Sequence, residues 1–146
     1  MRLTNVLSPV VTCFIALFAV VASAEDPQTV KDLLGKGGKQ LSKDELVSLV
    51  SGATMSGTQI NFPDRKFELE YKSNGEVRGT GRSGSEPVRS LTGKWSVNEE
   101  AGLCVELWND LGQRLTSGRC LSYFVLDDAY FAAARDGRLD RRTFKR

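Results

Sequence analysis

Histidine is absent from all 146 positions, and that absence sets the terms for any chemistry in this chain. Ser-His-Asp and Cys-His nucleophile systems need an imidazole base, and zinc sites commonly use one as ligand. What remains is carboxylate, phenol, amine and guanidinium, with cysteines at 13, 104 and 120. The paired acids Glu99-Glu100 and Asp127-Asp128 are the candidates for sugar hydrolysis, which needs two carboxylates flanking one bond. Each pair sits among turn residues, where carboxylates usually serve solvation and local hydrogen bonding. No Asp-x-[Asp/Asn]-x-[Asp/Asn]-Gly calcium loop occurs. The glycine-lysine cluster at 35–39 is not a phosphate loop, because Leu33 and Gln40 stand where Gly and Ser or Thr are required. No metal and no cofactor are expected.

Binding chemistry is better provided for. Trp95, Trp108, Tyr123, Phe124, Tyr130 and Phe131 concentrate in the second half of the chain. Trp95 and Val97 alternate with Lys94 and Ser96, which puts Trp95 on a core face. Trp108 shares strand parity with Cys104 and Glu106, opposite the apolar set Leu103, Val105 and Leu107, so it is expected near a turn and partly exposed. An exposed Trp beside polar groups stacks on sugar rings or anchors a partner. Arg135, Arg138, Arg141, Arg142, Lys145 and Arg146 crowd the final residues. A solvated last strand accounts for them; the sharper use is an electrostatic foot on an anionic membrane or acidic polymer. The candidate binding residues are therefore Trp108, Tyr130, Arg141 and Arg142.

The cysteines are read through the compartment. Arg2, an apolar run from Val6 to Val21 and Val21-Ala22-Ser23-Ala24 before Glu25 describe an export signal, with cleavage expected after Ala24. The run is 16 residues, short of the roughly 20 that span a membrane. Cys13 leaves with the signal, and an even pair remains in an oxidising, periplasmic or secreted setting. Cys104 and Cys120 lie eight residues either side of Gly112, in the turn signal Asn109-Asp110-Leu111-Gly112. In an antiparallel hairpin centred there they face each other and form a disulfide. Without residues 1–24 only Arg2 is lost among the charges, so 19 Lys and Arg face 18 Asp and Glu. That balance excludes nucleic acid as the expected partner.

The elements that must position these residues follow from local pattern. Residues 25–40 read as a flexible lead-in, and 41–146 as a single domain. A helix over 41–50 starts at Ser42 with Glu45 three residues on, a capping box, and Leu41 with Leu46 staple the same end. Gly52 supplies a left-handed stop. Phe67, Leu69 and Tyr71 alternate with charged residues as a half-buried strand. Asn74-Gly75 then turns the chain, and a three-residue loop at 73–75 keeps Tyr71 opposite Val77 rather than Arg78. Residues 79–90, rich in Gly and Ser, read as a mobile connection. The whole is α+β and mainly β: one N-terminal capped helix packed on an antiparallel β-meander or small barrel, with one disulfide.

Leu41-Ser42-Lys43-Asp44-Glu45-Leu46 before Gly52, Tyr71 with Asn74-Gly75, Gly93-Lys94-Trp95-Ser96-Val97, then Leu103-Cys104 and Cys120 resemble small exported bacterial proteins of domain of unknown function 995. The likeness spans about residues 40–135. It implies an exported domain with a single disulfide and carries no reaction, cofactor or catalytic residue. The expected function is thus a non-catalytic module binding a protein, glycan or apolar ligand of the cell envelope. A small carboxylate-based hydrolase acting on envelope glycans is the alternative.

Overall fold

Alternation of apolar and polar residues, clearest at Phe67–Tyr71 and Lys94–Val97, marks segments that become strands in the computed structural model, which has eight long ones. The structure describes residues 25–59, 62–116 and 118–146; the expected export signal lies outside them. The strands are β2 (Thr54–Gln59), β3 (Phe62–Tyr71), β4 (Glu76–Ser83), β5 (Arg89–Val97), β6 (Gly102–Asn109), β7 (Cys120–Leu126), β8 (Ala129–Ala133) and β9 (Leu139–Lys145). They follow two helices, α1 (Val30–Gly35) and α2 (Lys43–Val50), and a two-residue strand between them, β1 (Lys39–Gln40). Each of β2 to β9 pairs antiparallel with its sequence neighbours, and β9 returns to β2. The result is an eight-stranded up-and-down barrel, the closed form of the expected meander.

One residue in two faces inward. Phe67, Leu69 and Tyr71 of β3 meet Met55, Val77, Leu91, Leu103, Leu107 and Tyr123 in a single core cluster, while Glu68 and Glu70 face solvent. The β3–β4 turn has the three-residue form: Tyr71 faces Val77, and Gly75 takes φ +87°. Trp95 packs against the core, edge-on to Tyr71 at 5.9 Å, and its indole N–H donates to the Lys72 carbonyl at 2.8 Å. A large inward residue is thereby satisfied at its one polar atom.

Two expectations change. The stretch at 79–90 is strand up to Ser83 and again from Arg89, and its glycines have a structural purpose. A Cβ at Gly79 or Gly93 would overlap the carbonyl oxygen of Glu68 or Glu106 on the facing strand, so only glycine lets the coiled strands approach this closely. Residues 25–40 are likewise docked. Thr29 caps α1, and Leu33, with no exposure, packs on Phe124, Phe131 and Ala133 outside β7 and β8. The same segment donates from Val30 N to the Gly137 carbonyl and pairs β1 with Phe124 and Val125. Composition alone hid this, because a single buried leucine anchors the segment.

α2 closes one mouth. Its capping box forms, with the Ser42 hydroxyl accepting from Glu45 N and Glu45 Oε2 accepting from Ser42 N at 2.8 Å. Leu46 and Val50 are fully buried in the core cluster beside Leu41. Gly52, at φ +76°, ends the helix and donates to the Tyr71 carbonyl at 2.7 Å.

The β6–β7 seam is short, with Gly102, Leu103 and Cys104 facing Ser122, Leu121 and Cys120. The disulfide joins Cys104 to Cys120 across it, their Cα atoms 3.9 Å apart. At the hairpin tip the centre moves to Leu111, as Asn109 N bonds Gln113 O and Leu115 N bonds Leu107 O. The return strand therefore carries two extra residues before Cys120. An even offset preserves every face, so Cys104 and Cys120 still meet. Such a bond persists in an oxidising compartment. Among the described residues no helix is long and apolar enough to cross a membrane.

Bridging residues 16 apart in sequence restricts the unfolded chain enough to contribute about 3 kcal/mol. Cys104→Ser should lower stability by about that amount in urea unfolding, and denatured, unreduced protein should present neither thiol to a labelling reagent. Two labelled thiols, or an unshifted midpoint, would refute the clamp.

Candidate functional site

A groove of about 560 Å³ opens where α2 meets β7 and β8, and Leu41, Leu49, Val125 and Tyr130 form its apolar floor. Its rim is polar. Lys39 Nζ holds Glu45 Oε1 at 2.7 Å on one side, and the Arg146 guanidinium bonds the Ser48 carbonyl on the other. The Glu45 carboxyl is held down at about 2, from 4.5, by the Lys39 ammonium first and by the Ser42 N–H and hydroxyl after it. The capping box thus doubles as a fixed charge on the groove rim, local sequence logic serving a tertiary feature.

Tyr130 leads from the groove into the barrel. Its ring meets Phe144 edge-on at 5.4 Å, and Phe144 in turn meets Tyr123 at 6.3 Å. Directly across the ladder from Tyr130 stands Arg142, 4% exposed, which on its other side faces Gly57. Its guanidinium lies over the Phe67 ring at 5.2 Å and donates to the Arg141 carbonyl at 3.1 Å. Asp140 Oδ2, buried without a hydrogen-bond partner, sits 3.8 Å from Arg142 Nη2, beyond the 2.7–2.9 Å of a charge-assisted hydrogen bond. A Cβ at position 57 would stand 2.8 Å from Arg142 Nη1, so glycine there makes room for the cation. Burial pushes the Tyr71 and Tyr123 phenols above their usual range, Arg142 opposing the shift. Both stay neutral phenols near pH 7, hydrogen-bonding groups rather than bases.

The four residues expected to bind do not converge. Tyr130 and Arg142 are cross-strand neighbours on the inner face. Arg141 points outward and pairs with both oxygens of Asp26 at 3.2 Å. Trp108 is half-buried on the outer wall of β6, with the Arg114 guanidinium 6.0 Å from its ring centre. The basic end is likewise dispersed: Arg138 pairs with Asp136, Arg142 turns inward and Arg146 reaches α2. Arg142 stands in a run of cations, and the sequence signal for its burial is its spacing of two from Phe144, which marks the inward face. Lys39, Leu49 and Arg146 lie far apart in the sequence, and only tertiary packing joins them at the groove.

Glu99, Glu100, Asp127 and Asp128 are all exposed on the turns around α2. Lys43 Nζ lies 2.5 Å from Glu99 Oε1 and lowers that carboxyl, the direction opposite to that of a proton-donating glycosidase acid. Among the described residues no group of three or more His, Cys, Asp or Glu is placed to hold a metal ion. Comparison of the chain with protein-family models, curated proteins and solved structures finds no match.

Arg142→Ala would empty a buried site beside the Phe67 ring and should cost about 2–5 kcal/mol, as truncating a buried side chain does. Arg141→Ala, at an exposed pair, should cost less than about 1 kcal/mol. Equal losses in urea unfolding would contradict the inward placement of Arg142.

Glu45 gives a pH signature. Its folded pKa lies below its unfolded one, so its contribution is present above 4.5 and is lost as pH falls toward about 2. Melting temperatures of Glu45→Gln should therefore lie below wild type near neutrality and converge with it across that window. A constant offset across the window would argue against the assignment.

Proposed function

We propose that the protein is an exported, non-catalytic binding module that takes a small amphipathic ligand in the groove at the helix-capped mouth of its barrel. The observation that carries this reading is the groove itself: an apolar floor of Leu41, Leu49, Val125 and Tyr130 beneath the charges of Lys39, Asp44, Glu45 and Arg146. Ligand sites commonly combine an apolar lining with a few polar groups that set orientation, at volumes of about 300–1,000 Å³. Eight-stranded barrels are also just wide enough to fill with side chains or to hold one small ligand. Here Tyr71, Tyr123 and Met55 fill the centre, which leaves the mouth as the place for a guest. The disulfide, the apolar leader at 6–21 and the resemblance to exported proteins of domain family 995 support a periplasmic or secreted location.

Anilinonaphthalene sulfonate, an amphipathic anion, serves as the probe. Folded protein should bind it with a fluorescence gain, and Leu49→Gln should weaken binding about tenfold, the 1.4 kcal/mol of a partly lost apolar contact. Trp108→Ala, on the outer wall, should leave it unchanged. Unaltered binding by Leu49→Gln would remove the groove from consideration. Mass spectrometry of the protein recovered from the envelope or medium should give a chain beginning at Glu25, and an intact Met1 there would overturn export by cleavage.

A further inference from the structure

The two ends of the barrel carry opposite chemistry. At the α2 end, the turns at 72–76, 98–101 and 127–128 together with β1, α2 and the last two residues hold seven carboxylates against five Lys and Arg. At the far end, residues 64–66, 82–89, 110–115 and 135–138 hold seven Lys and Arg against four carboxylates. Exposed apolar residues are just as unevenly placed. Six large hydrophobics are exposed among the described residues, and four of them, Phe62 at 43%, Val88 at 61%, Leu111 at 60% and Leu115 at 47%, lie at the far end, Phe62 at the start of β3 and the others in connections. These connections are tied together: Gly84 N donates to the Asp64 carbonyl at 3.0 Å, and Arg89 approaches Asp110 at 3.9 Å. The Arg65 guanidinium lies 4.2 Å from the Phe62 ring centre, and Trp108 stands on the adjoining wall beside Arg114.

Apolar loop tips within a rim of excess cations, on a molecule whose opposite end carries a small net negative charge, match one kind of partner. We propose that the far end of the barrel seats on the surface of an anionic membrane. Phe62, Val88 and Leu111 enter the headgroup layer, the arginines meet lipid phosphates, and Trp108 lies at the interface where its amphipathic ring is favoured. The acidic turns are repelled from the same surface, so the charge asymmetry orients the barrel with α2 outward. Each basic residue near such a surface adds attraction that salt screens within a Debye length. This surface is independent of the groove, which stays open to solvent in that orientation.

Co-sedimentation of the processed chain with vesicles tests it. Vesicles mixing phosphatidylcholine with phosphatidylglycerol should retain the protein, and phosphatidylcholine alone should not; high salt should weaken retention. Val88→Ser with Leu111→Ser should lower affinity at least about tenfold, and Arg82→Gln about fivefold. Val47→Ser, an exposed apolar change on α2, should have no effect. Because the tips are exposed, circular dichroism melts of the variants should match wild type, and either single tip variant replaces the double one if it fails to fold. Equal retention on neutral vesicles, or full retention of the tip variants, would overturn the proposal. So would polyphosphate capture as tight as vesicle binding and indifferent to the tips, which would make the partner an acidic macromolecule.

Discussion

The eight long strands are paired on both sides because the sheet closes on itself, and closure depends on its weakest seam. β6 and β7 face each other over three residue pairs, against six or seven at β3–β4 and β4–β5. An open edge there would leave backbone donors and acceptors exposed, the usual route to edge-to-edge association. Two devices close it. The Cys104–Cys120 bond holds one half of the β7 edge, and β1, carried by the N-terminal segment, pairs with the other half. The lead-in and the disulfide thus answer the same constraint, although Gln40 and Cys104 are 64 positions apart.

Closure then imposes a fixed interior, and the sequence fills it unevenly. Glycines at 57, 79 and 93 stand where large residues or backbone come close, and Tyr71, Tyr123 and Met55 take the space released. Among the described residues one guanidinium, Arg142, is buried in this volume, with a loosely matched, partly exposed carboxylate, Asp140, beside it. Burying such a pair rarely adds stability over an apolar replacement. Its position beside Tyr130, at the base of the groove, places the charge behind the surface that a ligand would touch. An aromatic chain from Tyr130 through Phe144 to Tyr123 connects the two.

The ends divide the remaining roles. α2 and its capping charges make a mouth with an apolar floor, while the opposite turns carry apolar tips and cations. A barrel suits this division because its wall is rigid and its turns are free to vary.

Local pattern was enough for the elements whose determinants lie within a few residues. The Ser42–Glu45 capping box, the 73–75 turn and the alternation of Phe67, Leu69 and Tyr71 depend on backbone geometry and neighbouring side chains, and all are legible in the sequence. The facing of Cys104 and Cys120 also survived, because the two inserted residues preserve parity. Tertiary structure decided what depends on partners distant in the chain. The glycine-rich stretch at 79–83 is strand because its neighbours leave no room for a side chain. Residues 25–40 are ordered because one leucine finds a site on β7 and β8. Arg142 is buried, despite a run of cations around it, because closure of β9 on β2 turns its face inward. Which residues alternate and where the chain turns could be read from the residues alone, since those are short-range properties of the backbone. Which faces became interior, and which residues met at the groove, was settled only when the sheet closed.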